Sequence, residues 1–475
     1  MILNSFEFLW LFPIVFVIYY CGLYFFKRKR IPKYSNWLLL IISYALYMQW
    51  NIAWALVLLG VTLITYIGAI IIERENAYGK KKFIITTFVI LSLIPLLVLK
   101  YYDFIMNIFS QLLDIIGYNI KLNGLNWAIP IGLSFFTFQS LGYLWDVYYK
   151  RTSAEHNLPD YMLFVAFFPQ IMCGPISKST SLLTQIKEER YFDNNKAVQG
   201  LKCLLWGFFI KLVMADRVGL YVDAVYGNYE FYSGFSCFIA SIMYSFQIYG
   251  DFAGYSLMAI GVAKLLGFEL INNFNRPYFS QTITEFWKRW HISLSIWLKD
   301  YIYIPIGGSK CSKIRNYLNI LITFLVSGIW HGANYTFVLW GILHGVFQII
   351  EKSLNINKLK SNGIIRILRI FTTFLLVNFA WIFFRMPSLS ESLDICHKIF
   401  TDFNYKIGEI TPSSLALLSI FVVFIKELIE EFSPNKIQLF NNKNIVVRWC
   451  SYIIILSMIV LLGVLDSGQF IYVSF

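Results

Sequence analysis

Apolar runs of roughly span length alternate with short basic blocks along most of this chain. Phe6 to Phe26 is an apolar run closed at once by Lys27-Arg28-Lys29-Arg30. About 20 helical residues cross a hydrocarbon core about 30 Å thick, so this run predicts a first transmembrane helix. It is too long for the apolar part of a signal peptide and lacks a small-residue cleavage site, so it is expected to be retained. Trp37 to Trp50 and Ile52 to Ile72 predict a helical hairpin returning to Arg74 and Lys80-Lys81-Lys82. Phe83 to Leu99 leaves again, with Pro95 placed to kink it, and Trp127 to Tyr149 comes back to Lys150-Arg151. These basic blocks fall on one side, which the positive-inside rule makes the cytoplasm; the N-terminus is then outside.

Tyr161 to Ile176 is apolar but broken by Pro169 and Gly174-Pro175. It predicts a short or re-entrant piece, tolerated where other protein covers its backbone. Lys178 to Lys196 is charged and is expected along the cytoplasmic interface. Leu201 to Val213 and Phe235 to Phe268 are apolar again, the second holding Asp251 between Gly250 and Gly254. A hydrogen-bonded carboxylate between close-packed helices is the simplest reading of Asp251. Asn316 to Ile350 would measure about 52 Å as one helix, too long for one perpendicular span. Gly328, Gly332 and Gly345 offer places to break it, and a fold-back would put both ends in the cytoplasm. Ile364 to Phe384, Ser414 to Ile425 and Val446 to Val464 supply the last spans. The pattern predicts an all-α polytopic membrane protein of about eleven transmembrane helices plus short re-entrant or interfacial ones. It is expected to be a single domain over 1–475, with a catalytic core at about 127–350, in the cytoplasmic (inner) cell membrane.

Composition agrees: 58% of residues are hydrophobic and only 14% charged. The net charge of +13 raises the question of nucleic acid, but the basic residues sit in blocks between apolar runs, which is membrane orientation. The seven cysteines are scattered without a CxxC pair, so no disulfide framework is expected.

Candidate chemistry centres on three histidines. The run Glu285 to Arg315 carries six Lys or Arg against Glu285 and Asp300, and it holds His291. From Tyr317 an uncharged helix would carry His331 inward by roughly 21 Å, deep into the hydrocarbon. An ionisable residue at such depth is a functional-site hypothesis by default, with hydrogen-bonded packing as the bland alternative. P-loop, HExxH and GxSxG patterns are missing. No Cys or acid accompanies His291, His331 and His344 at ligand spacing, so no metal site is expected. A neutral imidazole in a dry cavity suits general base catalysis, taking the proton of a hydroxyl as its oxygen attacks a thioester. Trp290, Trp330 and Trp340 could line such a cavity. His344 lies roughly 220° around an ideal helix from His331 and reads as structural unless the helix breaks. His156 and His397 read as surface residues. His291 follows Lys288-Arg289-Trp290 in a run too polar for deep burial, so His331 is expected as the base and His291 as an orienting group. Lys288, Arg289 and Lys299 could meet donor phosphates, against the alternative of plain cytoplasmic anchoring.

The stretches NFNRPYFSQTITEFWKRWHISLSIWLKDYIYIPIGG (Asn273 to Gly308) and SGIWHGANYTFVLWGILHG (Ser327 to Gly345) resemble the membrane-bound O-acyltransferase (MBOAT) family. Within it they are similar to the bacterial polysaccharide O-acetyltransferases. The likeness extends through Pro130 to Tyr149, Phe167 to Ile176, Gln247 to Phe268, Phe379 to Leu393 and the FIYVSF end. It implies a helical membrane disc with a thin centre, where a cytoplasmic acyl donor meets an acceptor from outside. It implies His331 as the essential catalytic residue and His291 as the second active-site histidine. Trp290, Trp330, Lys288, Arg289 and Asn334 are expected to meet substrate. No resident cofactor or metal is implied; the donor would be acetyl-CoA or an acylated carrier protein. The expected partners are the lipid bilayer, a polysaccharide acceptor and an extracytoplasmic acetyltransferase- or esterase-like protein. The alternatives are D-alanyl transfer to teichoic acid and a non-catalytic partner or transporter in polysaccharide export.

Overall fold

The computed structural model describes residues 3–28, 34–118, 124–356, 362–404, 408–433 and 440–464. Lys29 and Arg30 of the first basic block, part of the basic run 352–369 and the FIYVSF end lie outside the described residues. The chain forms two compact units, one of Met1–Leu201 with Ala259–Ile271, the other of Lys202–Met258 with Asn272–Phe475. Among the described residues, six helical stretches are long and apolar enough to cross a membrane: 6–25, 52–74, 78–115, 194–226, 364–385 and 445–462.

The first unit opens with α1 (Phe6–Arg28), α2 (Tyr34–Met48) and α3 (Ile52–Arg74). Helix α4 (Tyr78–Leu96) does not stop near Leu99; it passes through a π-helical turn (Leu97–Tyr101) into α5 (Tyr102–Ile115). Pro95 lacks an N–H to donate, and the wider turn just after it accommodates the local slip without ending the helix. Helix α6 (Leu133–Tyr148) is shorter than the expected Trp127 to Tyr149. It starts after Gly132, whose φ of 75° suits glycine and whose missing Cβ would stand 2.0 Å from the Ile171 carbonyl oxygen. That carbonyl belongs to the broken apolar stretch, which is α7 (Leu158–Ala166) followed by buried, non-helical chain to Ile176. Its backbone polar groups have partners: Gln139 Nε2 donates to the Phe164 carbonyl, and Ser177 N donates to Gln139 Oε1 at 3.2 Å. Gln170 and Ser177 close the same network. A π turn (Ser179–Leu183) and α8 (Thr184–Lys187) follow.

Helix α9 (Asn194–Phe208), whose residues from Lys202 on belong to the second unit, runs through a π-helical segment (Phe209–Ala215) into α10 (Asp216–Tyr226). Lys211 in that segment is buried and bridges Asp216 and Asp251, so the intramembrane acid is an ion-paired packing group. Breaking such a pair would strand a buried charge, which is strongly destabilising. Asp251 lies on α11 (Gly234–Leu265). Two short helices follow, α12 (Ile283–Arg289) and α13 (Ile292–Leu298). Then comes the long stretch expected to fold back, and it does: α14 (Lys313–His331) and α15 (Tyr335–Ser353) form a hairpin. Gly328 and Gly341 face each other in it; a Cβ on Gly328 would meet the Phe337 carbonyl oxygen at 2.3 Å, and one on Gly341 the Phe324 oxygen at 2.4 Å. The close contact thus requires glycine at both positions. The chain ends with α16 (Ile364–Arg385), α17 (Leu389–Thr401), α18 (Ser414–Phe432) and α19 (Ile445–Leu462).

Candidate active site

The site is built on α12 to α16 of the second unit. Helix α12 has only seven residues, too few to hold itself by propagation, and its caps do that work. Thr282 Oγ1 accepts from Glu285 N at 3.0 Å, and Glu285 Oε2 reaches back to accept from Gln281 N at 2.9 Å. The Glu351 carboxylate of α15 accepts from Ile283 N, Thr284 N and Thr284 Oγ1. At its other end Arg289 binds Glu285 at 2.6 Å and Glu431 at 2.9 Å, and Arg276 and Arg366 bind the same Glu431. Arg289 is therefore engaged by two carboxylates.

His291 follows in the left-handed region, φ 42° and ψ 55°, a conformation that costs a non-glycine residue about 1–3 kcal/mol. Its neighbours enforce it. Trp290 N donates to the Phe286 carbonyl (2.7 Å), Ile292 N to the Asn273 carbonyl (2.9 Å) and Asn275 N to the Arg289 carbonyl (2.9 Å). The polar run was expected to keep His291 shallow, but the residue is 0% exposed. The reason is that Arg289 beside it pairs with Glu285 and Glu431, leaving the ring against Phe252 (4.5 Å between centroids) and Trp330 (6.0 Å). Outside the spanning helices, at this break between α12 and α13, burial holds the imidazole well below its ordinary pKa, so it is neutral. Asn273 Oδ1 lies 3.3 Å from its Nδ1 and also accepts from Ser293 N (3.1 Å) and Ser293 Oγ (2.9 Å).

His331 ends α14 and is buried among aromatic rings: Trp330 at 4.9 Å, Trp340 at 5.0 Å and Phe384 at 5.2 Å. Trp330 thus stands beside both histidines. Because the helix breaks after His331, His344 on α15 shares the Trp340 ring with it, at 4.9 Å. His344 Nδ1 accepts from Trp287 Nε1 at 3.2 Å, a packing role. Trp290 is buried against Phe274, Phe286 and Trp381. Asn334 caps α15, its Oδ1 accepting from Thr336 N at 3.1 Å, while its Nδ2 donates to the Pro387 carbonyl. It pins the turn of the hairpin. His156 and His397 are on the surface, the former paired with Glu73.

A cavity of about 670 Å³ opens beside this cluster. Lys288, Lys299, Lys313 and Lys352 line it with a basic rim, and Trp287, Ile320 and Phe324 give it an apolar wall. Of the three cations expected at phosphates, Lys288 and Lys299 line it and Arg289 does not. Ser327, also on its lining, precedes His331 by one helical turn, about 6 Å along the axis. Asn316 and Asn319 fasten the loop at the rim by donating to the Gly308 carbonyl, at 2.9 and 3.1 Å.

The description of the membrane-bound O-acyltransferase family matches residues 2–357. The chain belongs to the MBOAT family. Relatives place it more narrowly within that family. It is 35% identical over 438 residues to the probable alginate O-acetylase of Pseudomonas aeruginosa, across 91% of this chain and 81% of that protein. It is 32% identical to the peptidoglycan O-acetyltransferase of Helicobacter pylori, across 81% of this chain and 76% of that one. With the teichoic acid D-alanyltransferase of Streptococcus thermophilus the figure is 29%, across 54% of this chain and 68% of that one. The MBOAT membership makes this an acyltransferase, as the resemblance implied, and a polytopic membrane protein, as the hydrophobic pattern predicted. Asn273 was not singled out from sequence; the available signal was an amide inside the same motif as His291, eighteen positions upstream.

Proposed function

We propose that this MBOAT protein O-acetylates an extracytoplasmic polysaccharide, drawing the acetyl group from a thioester on the cytoplasmic side of the cell membrane. The observation that carries the reading is two buried imidazoles, His291 and His331, flanking Trp330 on the helix that also walls a lysine-rimmed cavity. Lysines suit the phosphates of a coenzyme or a phosphopantetheine arm, and the apolar wall suits the thin acyl-bearing chain. Acetyl-CoA is the donor we favour over an acylated carrier protein. The acceptor oxygen attacks the thioester carbonyl while His331 takes its proton; the tetrahedral adduct collapses, the C–S bond breaks, and the thiolate recovers the proton. His291 orients a substrate hydrogen-bond donor. The two O-acetyl-transferring relatives above are named for alginate and for peptidoglycan, and an extracytoplasmic partner enzyme is the natural recipient of the group if transfer to polymer is not direct. D-alanyl transfer is the weaker reading, because that likeness covers little more than half of the chain.

The test is polymer-bound O-acetyl in a deletion strain complemented with wild type or His331→Ala. Loss of about 10²–10⁴-fold in turnover is expected for the variant, with donor binding retained. Full complementation by His331→Ala would sink the catalytic reading.

A further inference from the structure

The hydrogen bonds around His291 decide which of its nitrogens can work. Asn273 Oδ1 accepts from Ser293 N, a group that can only donate, so the amide oxygen, not its NH₂, faces this cluster. The Asn273 Nδ2 points the other way, donating to Ser256 Oγ on α11 at 3.3 Å. Against an oxygen that can only accept, His291 Nδ1 must carry the proton. A neutral ring protonated at Nδ1 holds its lone pair at Nε2.

We propose that Asn273 is a positioning residue that fixes the His291 tautomer, so that Nε2 meets the substrate only as an acceptor of a hydroxyl or amide proton. The inference rests on the active-site reading of His291 given above. It narrows what His291 does: the ring binds a donor group and does not itself donate to the reacting carbonyl. The arrangement parallels the carboxylate that orients the histidine of a hydrolase triad, with the charge removed. An amide orients the ring without stabilising its protonated form, which suits a neutral imidazole. The charged groups on the surrounding elements are otherwise engaged. Asp251 of α11 is bound by Lys211, and Arg289 of α12 by Glu285 and Glu431. The α14 contact is the indole of Trp330.

The test uses membranes holding the full-length protein and labelled acetyl-CoA, with label in polymer read as an initial rate across the pH range in which imidazole titrates. Wild type and His291→Ala set the ceiling and floor. Asn273→Ala is expected to lose on the order of 10–100-fold at every pH, taking as the scale the loss seen when a metal-bound histidine is deprived of its outer hydrogen-bond partner. Asn273→Asp keeps an acceptor at Nδ1–H but adds a negative charge, which raises the ring's pKa. Nε2 is then protonated below that raised pKa. The variant should therefore recover activity at the alkaline end and lose it as pH falls, at a higher midpoint than wild type. A residue that merely packs would not shift the profile. If Asn273→Ala fails to accumulate, the Asn273→Asp profile alone decides. An Asn273→Asp profile of wild-type shape, or an Asn273→Ala rate equal to wild type, would overturn the inference. His291→Ala at the wild-type rate would instead overturn the active-site reading of His291 on which it rests.

Discussion

Substituting Gly328 by alanine should separate the two helices that carry the histidines. The new methyl carbon would stand 2.3 Å from the Phe337 carbonyl oxygen and 3.3 Å from the Gly341 Cα, both backbone atoms of α15. No side chain can swing aside to make room. Restoring an ordinary contact of 3.4 Å moves the backbones apart by about 1 Å, and a displacement of that size at a reacting centre can cost about 10²-fold in rate. His331 is three residues on from Gly328, and its partner ring Trp340 is the residue before Gly341, so both ends of that contact move. Overpacking of this kind typically also costs about 1–3 kcal/mol of stability. Purified Gly328→Ala should show both losses, measured as acetyl transfer and as thermal unfolding in detergent, and Gly341→Ala should match it. Gly79→Ala, where a Cβ meets nothing within 4 Å, is the control. A fully active, fully stable Gly328→Ala would show that the hairpin spacing does not set the site.

Two further expectations separate residues adjacent in sequence or in motif. Lys288→Ala should raise the KM for the thioester donor several-fold with a salt-sensitive wild-type reference, because that lysine lines the cavity. Arg289→Ala should instead lower stability and leave donor KM alone, since it removes a partner of Glu285 and Glu431; equal KM effects would contradict the assignment. Asn334→Ala should cost about 1 kcal/mol through the lost α15 cap, read by thermal unfolding, with kcat reduced far less than by His331→Ala.

Much of this was legible in the residues, and the failures are local and physical. The hairpin at 316–350 was visible because its length exceeded a span and its glycines marked the turn and contact. The continuation of α4 to Ile115 was hidden because Lys100 and Asp103 interrupt the apolar run; yet Lys100 is buried, and Asp103 accepts from Leu125 N at 2.7 Å. The burial of His291 was misjudged because Glu285 and Arg289 read as solvent-facing charges. Arg289 pairs with Glu285 and also with Glu431, which lies over 140 positions away, and no local pattern shows it. Helical periodicity likewise could not assign His344 a neighbour until the break between α14 and α15 was fixed. The partners of Arg289 and Asn334 were equally hidden, because motif position carries no record of which side chain meets which.

The left-handed backbone at His291 reverses the usual ranking of small residues at that position. Alanine and glycine both delete the imidazole and leave the same void, but only glycine accepts a φ of 42° without penalty. Left-handed geometry costs an L-residue about 1–2 kcal/mol, so a His291→Gly protein should be the sturdier of two inactive forms. A histidine there persists against the preference of its own main chain, held by the ring's contacts with Phe252 and Asn273.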